Sequence, residues 1–318
     1  MKKWLVILMV AVLAMSFAFA NGTNETSDGA AKWPKNVEIV VPAGAGGDTD
    51  FNARLLAQYL QEEIGSNFVI SNVSGNGGAT GTRQVKNATA DGSSILFYHS
   101  AFVVNKASGT VDYGFDSYDF SCIAAMNRGN MIVTKSEYNF KNMADLKAYT
   151  QAHPNELKIA IQTGATTYAV AMQLIKEGFL LNPVDAGSSS ARLAAILGGH
   201  VDVILAAYGS VKDYVEEGTL DVIGSDSPFD LEEVGVVSNK NQGVNASLPF
   251  YYFFAFPKGT PANLVTEFTA AVGDIVNNNE EYQQKIYAAY YQKPTFIPGE
   301  EGLKKYAEVE EILSTIEF

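Results

Sequence analysis

From residue 37 onward, short β-branched runs alternate with longer stretches in which apolar residues recur at helical spacing. In the first part of the chain this alternation predicts strands at 37–41, 68–71 and 94–98, with helices at 51–64 and 81–87 between them. A strand followed by a helix and then by another strand is typical of a parallel sheet. The pattern therefore predicts an α/β domain with helices on the faces of its sheet.

The same rhythm returns in the middle of the chain and predicts a second doubly wound sheet. Its strands fall at 132–134, 158–161, around 184, 201–205 and 221–223, and its helices at 143–152, 168–177, 191–198 and 209–217. The C-terminal part adds an aromatic strand at 251–256 and a long helix at 262–277, whose start is marked by Pro261. Three further short helices, separated by Pro294 and Pro298, are predicted to complete the fold.

The N-terminus has the pattern of an export signal. Two lysines precede an apolar run at 4–15, which ends in small residues at Ala18 and Ala20. The run is shorter than the roughly 20 residues that span a bilayer, and no cysteine follows it for lipid attachment. We expect residues 1–20 to be a cleaved signal peptide, which places the mature protein in a periplasmic or other extracytoplasmic space. Residues 21–35 lack apolar periodicity and predict a disordered leader.

Length, charge and cysteine content narrow the class of protein. The rest of the 318-residue chain exceeds what one hydrophobic core usually organises, so two domains are expected. The net charge of −13 excludes nucleic acid as a partner. Cys122 is the single cysteine and lies in an apolar run, which predicts a buried residue and no internal disulfide. With only four arginines, a bound anion is expected to be held by backbone amides and hydroxyls.

A glycine-rich loop at 41–50 separates the first strand from the first helix. Its small residues leave main-chain N–H groups uncovered, and the helix presents its positive end to the same space, which predicts an anion site. Dinucleotide spacing would require glycine where Thr49 stands, and no Gly-Lys-Ser or Gly-Lys-Thr follows to make a phosphate loop. The alternative that the glycines only form a tight turn stays open.

A second glycine-rich loop at 72–81 also follows a strand of the first sheet. The carboxyl ends of parallel strands meet at one edge, and open α/β sheets bind ligands there. The two loops are therefore expected to line one crevice.

These loops resemble the signature loops of the substrate-binding proteins of tripartite tricarboxylate transporters, also called the Bug family. The first loop is similar to V-P-F-A-A-G-G-G-T-D followed by A-R, and it matches at Val41, Pro42, Gly46, Gly47, Thr49, Asp50, Ala53 and Arg54. The second is similar to E-N-x-x-G-A-G-G-x-x-G and matches at Asn72, Gly75, Gly77, Gly78 and Gly81. Further similarity at 91–96, 119–120, 144–146, 197–202 and 254–261 covers nearly the whole mature chain in order.

The resemblance implies a two-domain periplasmic-binding-protein fold, in which each domain is a doubly wound sheet flanked by helices and the ligand cleft lies between them. Domain one would comprise 36–130 and 253–318, and domain two 131–252. The resemblance also implies clamshell closure on a small organic anion and delivery to membrane transporter subunits. No cofactor, metal or catalytic residue is implied, and a monomer is expected.

Contacts to the ligand carboxylate are expected from loops on both domains. Domain one would supply Ala43, Gly44, Ala45, Gly46, Gly47, Asp48, Asp50, Asn76, Gly77, Gly78, His99 and Ser100. Domain two would supply Thr163, Ala165, Thr166, Thr167, Asp185, Ala186, Gly187, Ser188 and Tyr208. A structural role is an equal alternative for His99, while Arg54 and Arg83 are expected to brace the loops.

Three departures from the family pattern bear on the ligand. Ala43 and Ala186 replace aromatic residues, which predicts a roomier pocket. Asp48 replaces a glycine and puts a negative charge beside the anion site. That charge would repel a polycarboxylate unless it points away or meets the ammonium group of a zwitterion. In the alternative interpretation Asp48 caps the helix that follows.

Two other functional classes are alternatives to transport. A secreted enzyme is disfavoured because the chain has three histidines, no Gly-x-Ser-x-Gly and no His-Glu-x-x-His. A ligand-sensing partner of a receptor would have the same sequence features, so this alternative stays open.

Overall fold

The computed structural model describes residues 30–318, so the predicted signal peptide and residues 21–29 of the predicted leader lie outside the described part. Residues 33–318 form one compact unit. The ring of Trp33 lies 6.1 to 6.4 Å from those of Phe68, Phe256 and Phe268. The amide of Asn67 donates to the carbonyl of Lys35 at 2.9 Å. The last residues of the predicted leader thus pack onto the fold, which begins at Trp33.

Eleven strands and ten α-helices follow one another along the described residues. The strands are β1 (Asn36–Val41), β2 (Asn67–Asn72), β3 (Ser94–His99), β4 (Tyr118–Asn127), β5 (Met131–Lys135), β6 (Lys158–Ile161), β7 (Asn182–Asp185), β8 (Val203–Ala206), β9 (Leu220–Ser225), β10 (Phe250–Pro257) and β11 (Lys293–Pro298). The helices are α1 (Asp48–Ile64), α2 (Ala79–Lys86), α3 (Ala101–Ala107), α4 (Met143–Ala152), α5 (Thr166–Lys176), α6 (Ser189–Leu197), α7 (Tyr208–Glu216), α8 (Ala262–Asn278), α9 (Glu280–Tyr290) and α10 (Gly299–Leu313). Within residues 30–318, no helix combines the length and apolar character needed to cross a bilayer.

The first sheet has six strands in the order β11-β4-β10-β3-β1-β2. Strand β1 pairs in parallel with β2 and β3, which confirms the parallel arrangement predicted for the first three strands. Strand β10 is antiparallel to both β3 and β4, and β11 is antiparallel to β4. We call this sheet and the helices packed on it lobe one.

Alternation along β1 explains how lobe one builds a core on each face of its sheet. Val37, Ile39 and Val41 pack into the cluster that includes α1 and α8, whereas Val40 packs into the cluster on the opposite face. All four side chains are fully buried, and each such burial stabilises the fold by about 1.5 to 3 kcal/mol. Cys122 is buried in the same core as α1, as predicted.

The second sheet has five strands in the order β7-β6-β8-β5-β9. Strand β6 is parallel to β7 and β8, while β5 runs antiparallel to β8 and β9. This sheet and its helices form lobe two. The chain enters lobe two between β4 and β5 and returns to lobe one between β9 and β10. The predicted domain boundaries at 130/131 and 252/253 stay predictions, and Phe250 already pairs with Asn127 in the first sheet.

The structure differs from the sequence-based prediction in four respects. Strand β4 was not predicted, although the apolar run around Cys122 lies in it. Both sheets are mixed: β10 runs antiparallel to its neighbours β3 and β4, the edge strand β11 runs antiparallel to β4, and β5 runs antiparallel to β8 and β9. The C-terminal region holds two helices and a strand instead of three short helices. Pro294 and Pro298 lie in that strand, β11, at the sheet edge, where a missing N–H costs no ladder hydrogen bond. Helix α3 was not predicted. Its first residues are all buried, so polar and apolar residues do not recur in it at helical spacing.

Candidate ligand-binding site

A cavity of about 90 Å³ lies between the two lobes, at the carboxyl ends of β1 and β3. This space exceeds the roughly 15 Å³ that one water needs, so a small organic molecule fits it. Its walls are formed by Pro42, Ala43, Gly44, Ala45, Gly47, Asp48, Thr49, Ser74, Tyr98, His99, Asn130, Gln162, Ala165, Thr166, Thr167, Ser188, Ser189, Ser190, Arg192, Ala207 and Phe250. Both glycine-rich loops contribute, as the crevice prediction requires.

The first glycine-rich loop is held in place by Asp50. Its carboxylate accepts hydrogen bonds from the amide of Gly46 at 2.9 Å and from the side chains of Asn72 and Arg54 at 2.9 and 3.0 Å. Burial raises the pKa of Asp50, but these hydrogen bonds and the charge of Arg54 outweigh burial and hold it below 3.8. Asp50 therefore braces the loop from behind and uses the Gly46 amide that was predicted for the ligand. Arg54 braces the loops, as predicted.

Asp48 faces the cavity and does not cap helix α1. Gly47 is the N-cap residue, and no side chain makes a cap hydrogen bond there. The Oδ2 atom of Asp48 accepts hydrogen bonds from the hydroxyl of Tyr252 and, at 3.1 Å, from the side-chain amide of Asn127. The capping interpretation is wrong because this carboxylate is turned toward β4 and β10.

His99 lines the cavity as a neutral imidazole. Burial, and secondarily the charge of Arg192, lower its pKa to about 3. Its Nδ1 accepts a hydrogen bond from the amide of Ala101 at 3.2 Å, which leaves Nε2 to carry the proton. The neighbouring Ser100 serves the fold: its hydroxyl donates to the carbonyl of Pro249 and accepts from the amide of Tyr251.

Lobe two presents the start of α5 to the cavity. Ala165, Thr166 and Thr167 line it, and the hydroxyl of Thr167 accepts a hydrogen bond from the amide of Gln162 at 3.1 Å. The first amides of this helix add partial positive charge, which favours an anionic group. The predicted contact at this helix start is thus placed on the cavity.

The loop between β7 and α6 is ordered by Asp185. Its carboxylate accepts hydrogen bonds from the amides of Thr163 and Gly187, each at 3.0 Å. Burial raises its pKa, but these hydrogen bonds and the charge of Arg192 outweigh burial and hold it below 3.8. Asp185 therefore shapes the loop from which Ser188 reaches the cavity.

Arg192 is the cationic group of the cavity. It lies on α6, is only 6% exposed, and donates from Nη1 to the carbonyl of Gly187 at 2.6 Å. Its other donors reach the carbonyl of Leu205 at a long 3.4 Å. Among residues 30–318 no carboxylate forms an ion pair with this guanidinium. Burial lowers its pKa to about 10, against the attraction of Asp48 and Asp185, so Arg192 is charged at neutral pH.

The other predicted site residues lie outside the central cavity. Asn76, Gly77, Thr163, Asp185 and Gly187 line a second opening beside it, which shares Ser74, Gln162 and Ser188 with the cavity. Gly46, Asp50, Gly78, Ser100, Ala186 and Tyr208 line neither space. Ala186 packs into the core of lobe two, and the ring of Tyr208 contacts that of Tyr291 at 5.3 Å.

Sequence reasoning missed several residues of the cavity wall. Arg192 was the most important omission, because it adds a cationic side chain to the backbone amides and hydroxyls that were expected to hold an anion. It stands four residues after Ser188, which is one helical turn, so the helix predicted at 191–198 could have placed it on the cleft. Asn130 and Phe250 come from the crossings between the lobes and have no local sequence signal.

Two mixed α/β lobes with a ligand-sized cavity between them define the class of two-domain solute-binding proteins. The family described as tripartite tricarboxylate transporter family receptor matches residues 52–287, and the chain belongs to this family. It is a solute-binding protein and not an enzyme.

Known relatives are similar over most of the chain. BugT of Bordetella pertussis is 23% identical over 244 residues, which cover 72% of this chain and 72% of BugT. The structure of MatC from Rhodopseudomonas palustris with bound malate has a TM-score of 0.77 and 19% identity, and the match covers 88% of this chain and 97% of MatC. The R. palustris protein Rpa4515 with adipate has a TM-score of 0.75 and 22% identity, over 89% and 96% of the two chains. At these identities the solved structures show the shared fold.

Proposed function

We propose that this protein captures a small organic carboxylate by closing its two lobes around it, and that it delivers the ligand to the membrane subunits of a tripartite tricarboxylate-type transporter. Arg192 carries the proposal. A guanidinium that is 6% exposed and hydrogen-bonded only to carbonyl groups, among the described residues, has lost much of its hydration without gaining a counter-ion. A ligand carboxylate supplies that counter-ion and forms the strong charge-assisted hydrogen bonds that guanidinium favours.

Contacts between the lobes on both sides of the cavity support a clamshell mechanism. On one side Asn105 of lobe one donates to the carbonyl of Gly77 at 2.7 Å and to that of Gly164 in lobe two at 2.9 Å. On the other side the glycine at 209, near the start of α7, packs against the end of α9. Such contacts form when two lobes meet, and a ligand that touches both lobes favours the form in which they are made.

Two further observations support the ligand class and the setting. MatC and Rpa4515, which share the fold, have bound malate and adipate, and both ligands are carboxylates. The predicted signal peptide at 1–20 agrees with action outside the cytoplasm, where a transporter receptor meets its solute.

The proposal is tested first by a thermal-shift screen of mono-, di- and tricarboxylates, because a ligand of the folded state raises the melting temperature. Binding of each hit is then measured by calorimetry on the wild type and on Arg192→Gln. Loss of a buried charge partner should cost about 2 kcal/mol or more, on the order of 30-fold in Kd. Arg83→Gln on α2 is the matched control, because this exposed side chain makes no hydrogen bond or ion pair with either glycine-rich loop among the described residues, contrary to the bracing role expected for it. Equal affinity in wild type and Arg192→Gln would remove the assigned role of Arg192.

Delivery is tested by uptake of the radiolabelled ligand in cells that lack the gene. We expect uptake to be lost and to return with the wild-type gene but not with Arg192→Gln. If uptake is unchanged while ligand-dependent gene expression is lost, the protein is instead the sensing partner of a receptor.

A further inference from the structure

We propose that the cavity selects a zwitterion, a ligand that carries an ammonium group as well as a carboxylate, and that Asp48 receives the ammonium. This inference rests on the proposed function, because it adds a second recognised group to the same site. It makes Asp48 a specificity-determining residue at a position where the sequence departs from the family pattern.

The charge balance of the cavity wall is the first argument. Among the described residues that line it, Asp48 and Arg192 are the two charged side chains, and His99 is neutral. The charges of the side chains in this wall therefore sum to zero. A dicarboxylate would bring two negative charges to one guanidinium and one carboxylate, and buried charge without compensation costs several kcal/mol. An amino acid leaves no charge uncompensated.

The second argument is that Asp48 is oriented but unpaired. The hydroxyl of Tyr252 donates to its Oδ2, as does Asn127, and that hydroxyl in turn accepts from the side chain of Gln292 at 3.0 Å. Gln292 is itself held by Asn52 at 2.6 Å. This buried chain of hydrogen bonds fixes Oδ2 and leaves Oδ1 without a hydrogen bond among the described residues. No lysine or arginine there forms an ion pair with Asp48.

The third argument is the aromatic surface beside Asp48. Phe250 lines the cavity and stacks on His99 with ring centroids 4.4 Å apart, and its centroid is 5.1 Å from that of Tyr252, which holds Asp48. The face of an aromatic ring attracts an ammonium group and repels a carboxylate. A carboxylate and an aromatic side chain on lobe one thus line the same cavity as a guanidinium and a helix N-terminus on lobe two. This arrangement matches the two ends of an amino acid.

The test uses pairs of ligands that differ only in the ammonium group: L-alanine and propionate, L-aspartate and succinate, and L-glutamate and glutarate. Calorimetry is carried out on the wild type, on Asp48→Asn and on Asp213→Asn, an exposed aspartate on α7 that controls for the change in net charge. In at least one pair the amino acid should bind wild type on the order of tenfold or more tightly than its partner. Asp48→Asn should remove that preference, and Asp213→Asn should keep it.

The possible results separate this inference from the proposed function. If the simple acids bind as tightly as the amino acids in every pair, and Arg192→Gln weakens both, the carboxylate function stands and the zwitterion inference falls. If Asp48→Asn weakens both members of a pair equally, the inference also falls. If no member of any pair binds wild type, both proposals fall. The wild-type comparison decides the matter even if Asp48→Asn does not fold, because it needs no variant.

Discussion

The two walls of the cavity carry opposite charges and are built in different ways. On lobe one, the carboxylate of Asp48 is held by Tyr252 and Asn127 within a chain of buried side-chain hydrogen bonds. On lobe two, Arg192 is more deeply buried than Asp48, and its guanidinium donates only to backbone carbonyls among the described residues. Side chains of the protein therefore fix the Oδ2 atom of Asp48 and leave its Oδ1 open, whereas no side chain among the described residues holds the guanidinium of Arg192.

This difference indicates that the two lobes contribute differently to ligand binding. A network of side-chain hydrogen bonds fixes the geometry of a charge and stabilises the fold, whereas a buried charge held by no side chain reduces the stability of the empty protein. The second arrangement makes ligand binding more favourable, because the ligand relieves that cost. Lobe two should therefore contribute most to affinity, and lobe one to orientation and selectivity.

We expect the largest effect on ligand affinity from Gly209→Ala, which should prevent the two lobes from closing fully. A methyl group at Gly209 would overlap the carbonyl oxygen of Ala289 on α9 and lie 3.1 Å from the Cα atom of Tyr290. Because the clash is with backbone, it should cost the closed form about 3 kcal/mol, on the order of 100-fold in affinity for the ligand that the screen identifies. The measurement is calorimetry, together with small-angle scattering with and without ligand.

Two observations control for a general effect on folding. Alanine favours a helix more than glycine does, so the free energy of unfolding of the empty protein should not fall in Gly209→Ala. Ser210→Ala, one residue further along α7, changes the same helix and should bind like the wild type. Wild-type affinity in Gly209→Ala would show that the two lobes need not meet at this point.

Some features of the two walls can be predicted from the sequence, and others cannot. The first glycine-rich loop was located, along with Asp48 and the start of α5, because strand, loop and helix signals are local. Arg192 was missed because its proposed function depends on its burial and on its having no carboxylate partner among the described residues, and its neighbours along the chain indicate neither. The cap proposed for Asp48 was wrong for the same reason, since its partner Tyr252 lies 204 positions away.

The same holds for the fold: features with local sequence signals were predicted, and features that depend on long-range contacts were missed. Parallel pairing of β1, β2 and β3 follows from alternating strands and helices, and it was confirmed. The strand β11 was taken for helix, since its two prolines are usual breaks between helices and its pairing with β4 is a long-range contact. Phe250 and Asn130 reach the cavity only because the chain crosses between the lobes there.

A second prediction concerns Asp226, which lies where the chain crosses between the lobes and is hydrogen-bonded to Asn130 of the cavity wall. Its carboxylate accepts hydrogen bonds from the amide and side chain of Asn130, at 2.6 and 2.9 Å, and its carbonyl accepts from Ser247 and Leu248. Burial raises its pKa from 3.8 to about 7. Between about pH 4 and about pH 7, the carboxyl group of Asp226 therefore keeps its proton in the folded protein but has released it in the unfolded chain. The contribution of Asp226 to the free energy of unfolding should therefore fall as pH rises from about 4 to about 7.

Urea denaturation of the wild type and Asp226→Asn at a series of pH values measures this contribution. The difference in free energy of unfolding, variant minus wild type, should rise by roughly 2 kcal/mol between about pH 5 and pH 8. Asp221→Asn, on β9 of the same lobe, should show no such rise. A constant difference for Asp226→Asn would mean that the carboxylate is already charged at low pH and that burial does not govern it.

The smallest expected effect is on the free energy of unfolding of the empty protein, and it tests directly whether the two walls are built differently. Tyr252→Phe removes the hydroxyl that donates to Asp48 and accepts from Gln292, so it should lower the free energy of unfolding by about 1 to 2 kcal/mol. Arg192→Gln removes a buried charge that has no counter-ion among the described residues, while the shorter amide can still donate to a carbonyl. Its free energy of unfolding should stay unchanged or rise by up to about 1 kcal/mol, even though ligand affinity falls. Urea denaturation without ligand measures both, and the sign of the difference is decisive. If Arg192→Gln is the more destabilised of the two, the guanidinium serves the fold, and the distinction between a structural wall and a ligand-binding wall is lost.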